Sequence, residues 1–208
     1  RIFLLAVAAF VTLLVTSGPV AAQSRETTIV QNAGQTLEEI MRIPVRGIPE
    51  SLLEDAQGIV VVPDLLKGSF ILGVRHGRGI VTIRDEQGRW TAPVFVTVTG
   101  GSVGWQIGVQ ATDIILVFKT RSSVNGLLSG KFTLGADAAA AAGPIGREMA
   151  AATDVAMKAE IYTYSRSRGL FAGVSLDGSV VAIDSAATAL YYAGTNVLSP
   201  NAPATAPF

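Results

Sequence analysis

Residues 90–118 read WTAPVFVTVTGGSVGWQIGVQATDIILVF, and this stretch decides the fold class. Its glycines do not match a dinucleotide-binding loop, because DIILVF follows where that motif requires a helix. Bulky and small residues instead alternate with a period of two, which predicts a β-strand. One face carries Val103, Trp105, Ile107 and Val109, and the other carries Gly104, Gln106, Gly108 and Gln110. Glycine weakens a strand unless another backbone comes close, so we expect a tightly packed neighbour on the bare face.

Strand-like segments surround this stretch. GIVVVP, SFILGV and GIVTIRD are short, rich in β-branched residues and separated by Gly, Pro and Asp, which is typical of strands and turns. The segment 84–90 (RDEQGRW) predicts a turn in which Gly88 has a positive φ, and Asp177-Gly178 predicts a second turn. The segments ILGV-GIVTI and GLFAGV-SVVAI share a pattern around Gly73-Val74 and Gly173-Val174, and we interpret them as two similar hairpins.

Helical patterns lie on both sides of the strands. Residues 34–56 predict two short amphipathic helices that are broken by prolines. Residues 184–194 predict a helix that is capped by Asp184 or Ser185 and closed by Gly194.

Two further segments complete the fold prediction. A strand is predicted over 156–166, whereas the Ala-rich residues 136–142 fit a strand and a helix equally well. The sequence therefore predicts an α+β fold. We expect a mostly antiparallel β-sheet curled into a sandwich or barrel, with short N-terminal helices and a C-terminal helix.

The N-terminus predicts export. Residues 1–22 contain a leading Arg, an apolar run shorter than the roughly 20 residues of a membrane span, and small residues before Ala22. This pattern is typical of a signal peptide that is cleaved after Ala22, and it predicts a periplasmic or secreted protein. We expect residues 23–32 to form a short linker, 33–194 to form one domain, and 195–208 to be a Pro-rich disordered tail.

The composition excludes several kinds of chemistry. The chain has 16 basic and 16 acidic residues, so no nucleic-acid partner is expected. It has no cysteine, which excludes thiolate catalysis and thiolate metal sites. The segment GLLSGKF (126–132) fails the phosphate-loop pattern, because Phe132 stands where a hydroxyl is required. The acidic residues are scattered, and His76 reads as a surface residue beside a turn. We therefore expect no enzyme, no cofactor and no metal.

Basic residues at predicted turns are the remaining candidates for a site. A solvated surface is the simpler interpretation of these residues. The alternative is a patch for anionic lipid headgroups, where each basic residue near the membrane contributes about 1 kcal/mol. The candidate headgroup contacts are Arg75, Arg78, Lys119, Arg121 and Lys131.

Several blocks in a fixed order resemble the SYLF domain over about residues 33–194. They include the segment from AQGIVVVPDLLKGS to ATDIILVF, then KFTLGADAAAAAGPIGR, then YSRSRGLFAGVSLDGS. The resemblance implies a non-catalytic domain that binds lipid, notably phosphoinositides in eukaryotic members, and that binds and bundles actin filaments in some fungal members. It also implies that a basic amphipathic N-terminal segment binds the lipid, whereas residues 34–56 of this chain are mainly acidic.

The sequence thus predicts a non-catalytic, membrane-associated protein of the cell envelope or extracellular space that binds anionic phospholipid or phosphoinositide. The alternative is a structural or protein-interaction module of the envelope. Actin enters by family analogy alone and is not expected as a partner of an exported protein. A hydrolase would require His76 to converge with an acid and a hydroxyl. An empty apolar pocket would favour binding of acyl chains over binding of headgroups.

Overall fold

The computed structural model describes residues 18–42, 47–69, 72–103, 108–144, 158–167 and 170–194. Two helices come first, α1 (Gly18–Met41) and α2 (Glu50–Glu54). Four long strands follow: β1 (Gly58–Ser69), β2 (Leu72–Ile83), β3 (Val94–Val103) and β4 (Gly108–Phe118). The second half contains α3 (Arg121–Leu128), β5 (Lys131–Thr133), β6 (Ala140–Ala142), β7 (Ile161–Ser167), β8 (Leu170–Gly173), β9 (Val180–Ile183) and α4 (Ser185–Gly194).

The strands of the described residues form one sheet in the order β5-β9-β3-β2-β1-β4-β7-β6, with β8 beside β7. The pairs are antiparallel except β6 with β7, which is parallel. The β1–β2 hairpin is central. Its end pairs with the first residue of β4 through Ser69 and with the last residue of β3 through Leu72. We call this end of the sheet the hairpin end, and we call the opposite end, where α3 follows β4, the α3 end.

The inner face of the sheet holds the larger apolar core. Alternation along the strands places fully buried residues such as Val60, Leu116 and Val181 on this face. The ring of Phe118 on β4 lies 5.9 Å from that of Phe132 on the edge strand β5. Since β4 and β5 are far apart in the strand order, this contact shows that the sheet curls around its core. The predicted α+β fold with a curled, mostly antiparallel sheet is confirmed.

Helices cover the outer face of the sheet. A second core joins Ala33 and Ile40 of α1 to Ile59 of β1 and Ile115 of β4, all of which are buried. The helix α4 packs beside α1, and its Tyr191 ring lies 5.4 Å from Phe95 of β3. None of the helices in the described part of the chain is long and apolar enough to cross a membrane.

Two arginines of the sheet fasten α1 to the outer face. Arg78 of β2 forms ion pairs at 3.0 Å with the buried Glu26 of α1 and with Asp184, which precedes α4. Arg166 of β7 pairs with Glu39 near the other end of α1. Two of the three acidic residues of α1, Glu26 and Glu39, therefore bind the sheet.

The buried Asp113 of β4 stabilises a bulge in β1. Its carboxylate accepts a hydrogen bond from the backbone N–H of Asp64 at 3.0 Å and pairs with Arg166 at 2.8 Å. Asp64 has a φ of 52°, and the register of β1 shifts between Val62 and Leu65. A carboxylate that seemed isolated in the sequence thus has a structural role.

The prediction of one strand across residues 100–110 is wrong. β3 ends at Val103 on one side of the β1–β2 hairpin, and β4 begins at Gly108 on its other side. Residues 104–107 lie outside the described residues, so their alternation stays a prediction. A close neighbour does exist at Gly100, where an added Cβ would lie 2.5 Å from the hydroxyl oxygen of Ser179.

The two predicted turns are confirmed, whereas the two similar hairpins are wrong. Gly88 and Gly178 have φ values of 78° and 74°. However, Gly73 and the segment GIVTI belong to the single strand β2. The strands β8 and β9 flank Asp177-Gly178 without pairing, because β8 pairs with β7 and β9 pairs with β3 and β5. Similar sequences therefore do not occupy similar places here.

The first helix is longer than the sequence predicts. It starts at Gly18 and includes residues 23–32, which were predicted to be a linker and are helical instead. Residues 1–17, and with them most of the predicted signal peptide, lie outside the described residues, as does the predicted tail at 195–208. The cleavage site therefore stays a prediction.

Other elements agree with the sequence in part. The alternatives for 136–142 are resolved as a strand, because Ala140–Ala142 form β6 after a turn. The C-terminal helix is confirmed, and the Asp184 carboxylate accepts a hydrogen bond from the N–H of Ala187 at 3.0 Å as its cap. The helix α3 was not predicted, although Thr120 caps it by accepting from the N–H of Ser123.

Candidate functional site

The predicted headgroup residues lie in separate parts of the sheet. Arg75 and Arg78 are both on β2 but point to opposite faces, because they are an odd number of positions apart. Lys119 and Arg121 lie at the α3 end, on either side of Thr120. Lys131 is exposed at the start of the edge strand β5. The structure therefore brings together Lys119 and Arg121, and it does not build one pocket from all of these residues.

Arg78 has a structural role, because its charge is paired within the fold. Its side chain is 21 % exposed, and its guanidinium is held between the carboxylates of Glu26 and Asp184, at 3.0 Å from each. Two carboxylates neutralise its charge, so little of it is available to a lipid headgroup.

The basic residues at the α3 end bind other groups of the chain. The Lys119 ammonium lies 5.2 Å from the centre of the Tyr162 ring, in the geometry of a cation–π contact. The Arg121 guanidinium donates hydrogen bonds to the carbonyl oxygens of Arg84 and Asp85, which fastens α3 to the turn after β2. Both side chains remain at least partly exposed to solvent.

Arg75 has a cationic neighbour that the sequence did not reveal. Lys67 of β1 is directly opposite Arg75 of β2, and Gly100 of β3 is opposite Arg75 on its other side. Gly77 is two positions after Arg75 and faces Val62 of the inner core, so Arg75 and Lys67 lie on the inner face. Among the described residues, neither cation forms an ion pair.

Two apolar side chains are exposed at the same end of the sheet. Leu66 and Val74 alternate with Lys67 and Arg75 and therefore lie on the outer face. They are 53 % and 63 % exposed, respectively. The hairpin end thus presents cations on one face and exposed apolar residues on the other. The alternation was visible in the sequence, but the pairing of Lys67 with Arg75 depends on the register of the hairpin.

His76 is exposed on the outer face, as predicted. One ring nitrogen lies 3.1 Å from the hydroxyl of Thr99. Its partners in register are Leu66 and Thr99, which carry no carboxylate. Within the described ranges, no three His, Cys, Asp or Glu side chains cluster as metal ligands would. The acid that a hydrolase needs is therefore not placed beside His76 by these strands.

An apolar groove of about 380 Å³ runs along α4. It is lined by Val94, Ile183, Ser185, Thr188, Ala189 and Tyr192. The Tyr192 hydroxyl donates a hydrogen bond to the carbonyl of Pro93 at 2.7 Å, and burial raises the pKa of Tyr192 to about 12. The groove is open and lies far from the hairpin end along the strands.

Three blocks of the resemblance meet in one packed contact. Gly143 lies against the ring of the fully buried Tyr164, whose hydroxyl donates to the carbonyl of Pro144 at 3.1 Å. Gly173 in turn lies against the backbone of Gly143. Burial also raises the pKa of Tyr164, so its hydroxyl stays protonated. The AGP, YSR and AGV segments therefore depend on one another sterically.

Residues 99–205 match the Ysc84 family, described as "Las17-binding protein actin regulator". The chain therefore belongs to the Ysc84 family, and the resemblance to the SYLF domain is confirmed.

Curated relatives agree with this assignment. The chain is 35 % identical over 155 residues to "SH3 domain-containing YSC84-like protein 1" of Xenopus laevis, covering 72 % of this chain and 46 % of the relative. The human protein of the same name is 33 % identical over 155 residues, covering 72 % and 45 %. "LAS seventeen-binding protein 3" of Saccharomyces cerevisiae is 35 % identical over 137 residues, covering 64 % and 30 %. The chain thus spans less than half the length of these relatives.

Proposed function

We propose that this chain is a non-catalytic binding module that associates with anionic phospholipid at the surface of a membrane in the cell envelope or outside the cell. The observation that carries the proposal is the arrangement of side chains at the hairpin end. Lys67 and Arg75 lie side by side there without ion-pair partners among the described residues, and Leu66 and Val74 are exposed on the other face.

The expected binding energy is modest. Each basic residue near an anionic surface contributes about 1 kcal/mol. Burial of a half-exposed Leu or Val side chain contributes about 1 kcal/mol as well, since full burial gives about 2 kcal/mol. A single domain of this kind binds reversibly and releases the membrane when salt screens its cations.

Vesicle co-sedimentation tests the proposal. Vesicles of phosphatidylcholine and phosphatidylglycerol in equal amounts are compared with vesicles of phosphatidylcholine alone, at low and at physiological salt. The double variant Lys67→Gln/Arg75→Gln should bind the anionic vesicles about thirtyfold more weakly, because two contributions of about 1 kcal/mol are lost. Absence of binding at low salt would refute the proposed function.

Matched variants locate the membrane-facing end. Arg121→Gln/Lys131→Gln removes the same charge away from the hairpin end, and it should leave binding unchanged. Leu66→Ser should weaken binding, whereas Leu128→Ser, at a residue that is 43 % exposed on α3, should not. The opposite ranking would move the lipid contact to the α3 end, where Lys119 and Arg121 lie.

The location in the envelope is part of the same proposal and rests on the sequence of residues 1–22. Export predicts that the protein isolated from an envelope fraction starts at Gln23. N-terminal sequencing of that protein gives the answer directly, and an uncleaved N-terminus in a cytosolic fraction would contradict the export.

A protein partner is the second candidate, and the comparisons favour it. The matching family is described as an actin regulator, and relatives carry names that refer to binding of another protein. The groove along α4 offers an apolar surface for such a partner. Pull-down with the immobilised chain, compared with an Ala189→Glu variant in the groove, tests it. This candidate predicts capture of a protein that the variant loses, together with indifference to vesicles.

A further inference from the structure

Four residues line up across the inner face near the hairpin end. Lys67 of β1 is opposite Arg75 of β2, and Arg75 is opposite Gly100 of β3. Ser179, just before β9, is the nearest neighbour of the position where Gly100 would carry a Cβ. We call this set the inner-face row. The row is formed by residues of three strands together with the residue that precedes β9, and it is not contiguous in the sequence.

The two cations of the row repel each other. Like charges directly opposite on neighbouring antiparallel strands destabilise a sheet. No carboxylate among the described residues pairs with Lys67 or Arg75, although both other buried or half-buried arginines of the sheet, Arg78 and Arg166, are each held by two carboxylates. Within the described part of the chain, the positive charge of the row is therefore uncompensated.

The row also contains polar atoms without hydrogen-bond partners. Ser179 is 1 % exposed, and its hydroxyl has no partner among the described residues. The Nε of Arg75 is likewise buried without a partner. A buried polar atom without a partner costs about 1–3 kcal/mol, and a bound group that supplies the missing partner would remove this cost.

Gly100 lets Ser179 pack directly against β3, beside the position of Arg75. An added Cβ at Gly100 would lie 2.5 Å from the Ser179 hydroxyl oxygen, which is closer than van der Waals contact allows. The glycine therefore lets the hydroxyl lie directly beside the strand on which Arg75 packs. A larger residue at this position would displace Ser179 from its place beside β3.

We propose that the inner-face row binds the oxyanion of a phosphate monoester. A guanidinium recognises such a group by paired N–H donors, an ammonium adds a point charge, and a serine hydroxyl adds a third donor. A phosphate monoester carries close to two negative charges at neutral pH, which match the two cations of the row. A monovalent carboxylate would leave one of these cations uncompensated.

The phosphate can come from a lipid headgroup or from a soluble phosphate ester. The lipid source rests on the proposed function, because it requires the hairpin end to meet a membrane. The soluble source does not. Both present the same oxyanion, so the probes are inorganic phosphate and vesicles that contain phosphatidic acid, tested separately.

The first variant tests the Ser179 hydroxyl, which has no hydrogen-bond partner among the described residues. Ser179→Ala removes a buried hydroxyl that has no partner, so the unliganded protein should unfold at the same urea concentration as the wild type or at a higher one. Its affinity for inorganic phosphate should fall about threefold to tenfold. Arg75→Gln removes a charged donor and should lower the affinity at least about tenfold. Lys131→Gln, an exposed cation on β5, is the matched control and should bind phosphate normally.

Calorimetric titration with inorganic phosphate at low salt, with ¹H–¹⁵N spectra to locate the response, gives the outcome. The proposal is supported when wild type and Lys131→Gln bind phosphate with shifts at Gly100 and Ser179, and Ser179→Ala and Arg75→Gln lose affinity. It is overturned when phosphate does not bind, or when Ser179→Ala binds as wild type does. If the protein binds vesicles but inorganic phosphate neither binds nor competes, the phosphate site in the inner-face row is refuted and the proposed membrane association is retained. If inorganic phosphate binds but phosphatidic acid vesicles do not, the inner-face row binds a soluble phosphate ester and the proposed membrane association is refuted.

Discussion

Substitution of Gly143 by Ala tests whether the sequence blocks around Gly143, Tyr164 and Gly173 pack against one another as the structure indicates. The three nearest atoms to an added Cβ at Gly143 all belong to the ring of Tyr164, and all are well inside van der Waals contact. The ring is fully buried, and its hydroxyl is held by the carbonyl of Pro144 at 3.1 Å, so it has little freedom to move away. Overpacking of this kind costs about 1–3 kcal/mol.

Replacement of Gly143 by Ala also has a smaller, stabilising effect, which must be subtracted from the cost of overpacking. Gly143 does not have a positive φ, so alanine fits its backbone, and replacing glycine restricts the unfolded chain by about 0.4–1 kcal/mol in favour of folding. We therefore expect Gly143→Ala to destabilise the protein by about 2 kcal/mol. Urea unfolding followed by circular dichroism measures this as a lower midpoint with an unchanged slope.

A double-mutant cycle identifies the cause. In the Tyr164→Leu background the ring is gone, so Gly143→Ala should become neutral or slightly stabilising, and the coupling energy should reach about 2 kcal/mol. Gly34→Ala is the matched control, because an added Cβ there meets nothing within 4 Å and alanine stabilises the interior of α1 by about 1 kcal/mol. An equal cost of Gly143→Ala in both backgrounds would show that the ring is not the obstacle and would refute the interlock.

Three further predictions concern the covering helices. Glu26→Gln should destabilise the protein by about 3 kcal/mol in urea unfolding, because it leaves Arg78 with one of its two carboxylate partners in a buried site. The control is Glu39→Gln, which should cost below about 1 kcal/mol because Glu39 is 53 % exposed. Equal costs for the two variants would contradict the difference in burial. The pKa of Tyr192 is raised to about 12 from its usual value of 10.0, so the stability that the neutral Tyr192 hydroxyl contributes is present below about pH 10 and is lost as the pH rises through 12. Tyr192→Phe should therefore make the free energy of unfolding less dependent on pH between pH 9 and 12. The same pH dependence in this variant and in the wild type would contradict the prediction. Thr120→Ala should cost about 1 kcal/mol by removing the cap of α3, while Thr120→Ser should retain most of the stability, and equal losses would mean that the hydroxyl is not the cap.

Features that depend on local chemistry could be predicted from the sequence. The turns at Gly88 and Gly178 follow from glycine's tolerance of a positive φ, and the cap at Asp184 follows from a carboxylate placed before a helical pattern. Each of these needs information from within a few residues. The curled antiparallel sheet was likewise predictable, because many short alternating segments separated by turns leave few other architectures.

Features that depend on register were not predictable. Residues 100–110 alternate as one strand would, yet Val103 and Gly108 pair with different sides of the β1–β2 hairpin. Alternation reports which face a side chain takes, and it does not report where one strand stops and the next begins. For the same reason Lys67 was absent from the candidates, since its pairing with Arg75 exists only in the folded hairpin.

The acidic character of the first helix has a structural cause that bears on where a lipid can bind. Glu26 and Glu39 of α1 pair with arginines of the sheet, and the apolar side chains Ala33 and Ile40 are buried beneath the helix. A helix inserts into a membrane surface through its apolar face, with basic residues on its polar face. In this chain that apolar face already packs on β1 and β4, and the charges have the opposite sign. Insertion of α1 would first require both ion pairs to break, whereas the hairpin end is already exposed, and for this reason the proposed membrane contact is assigned to the hairpin end.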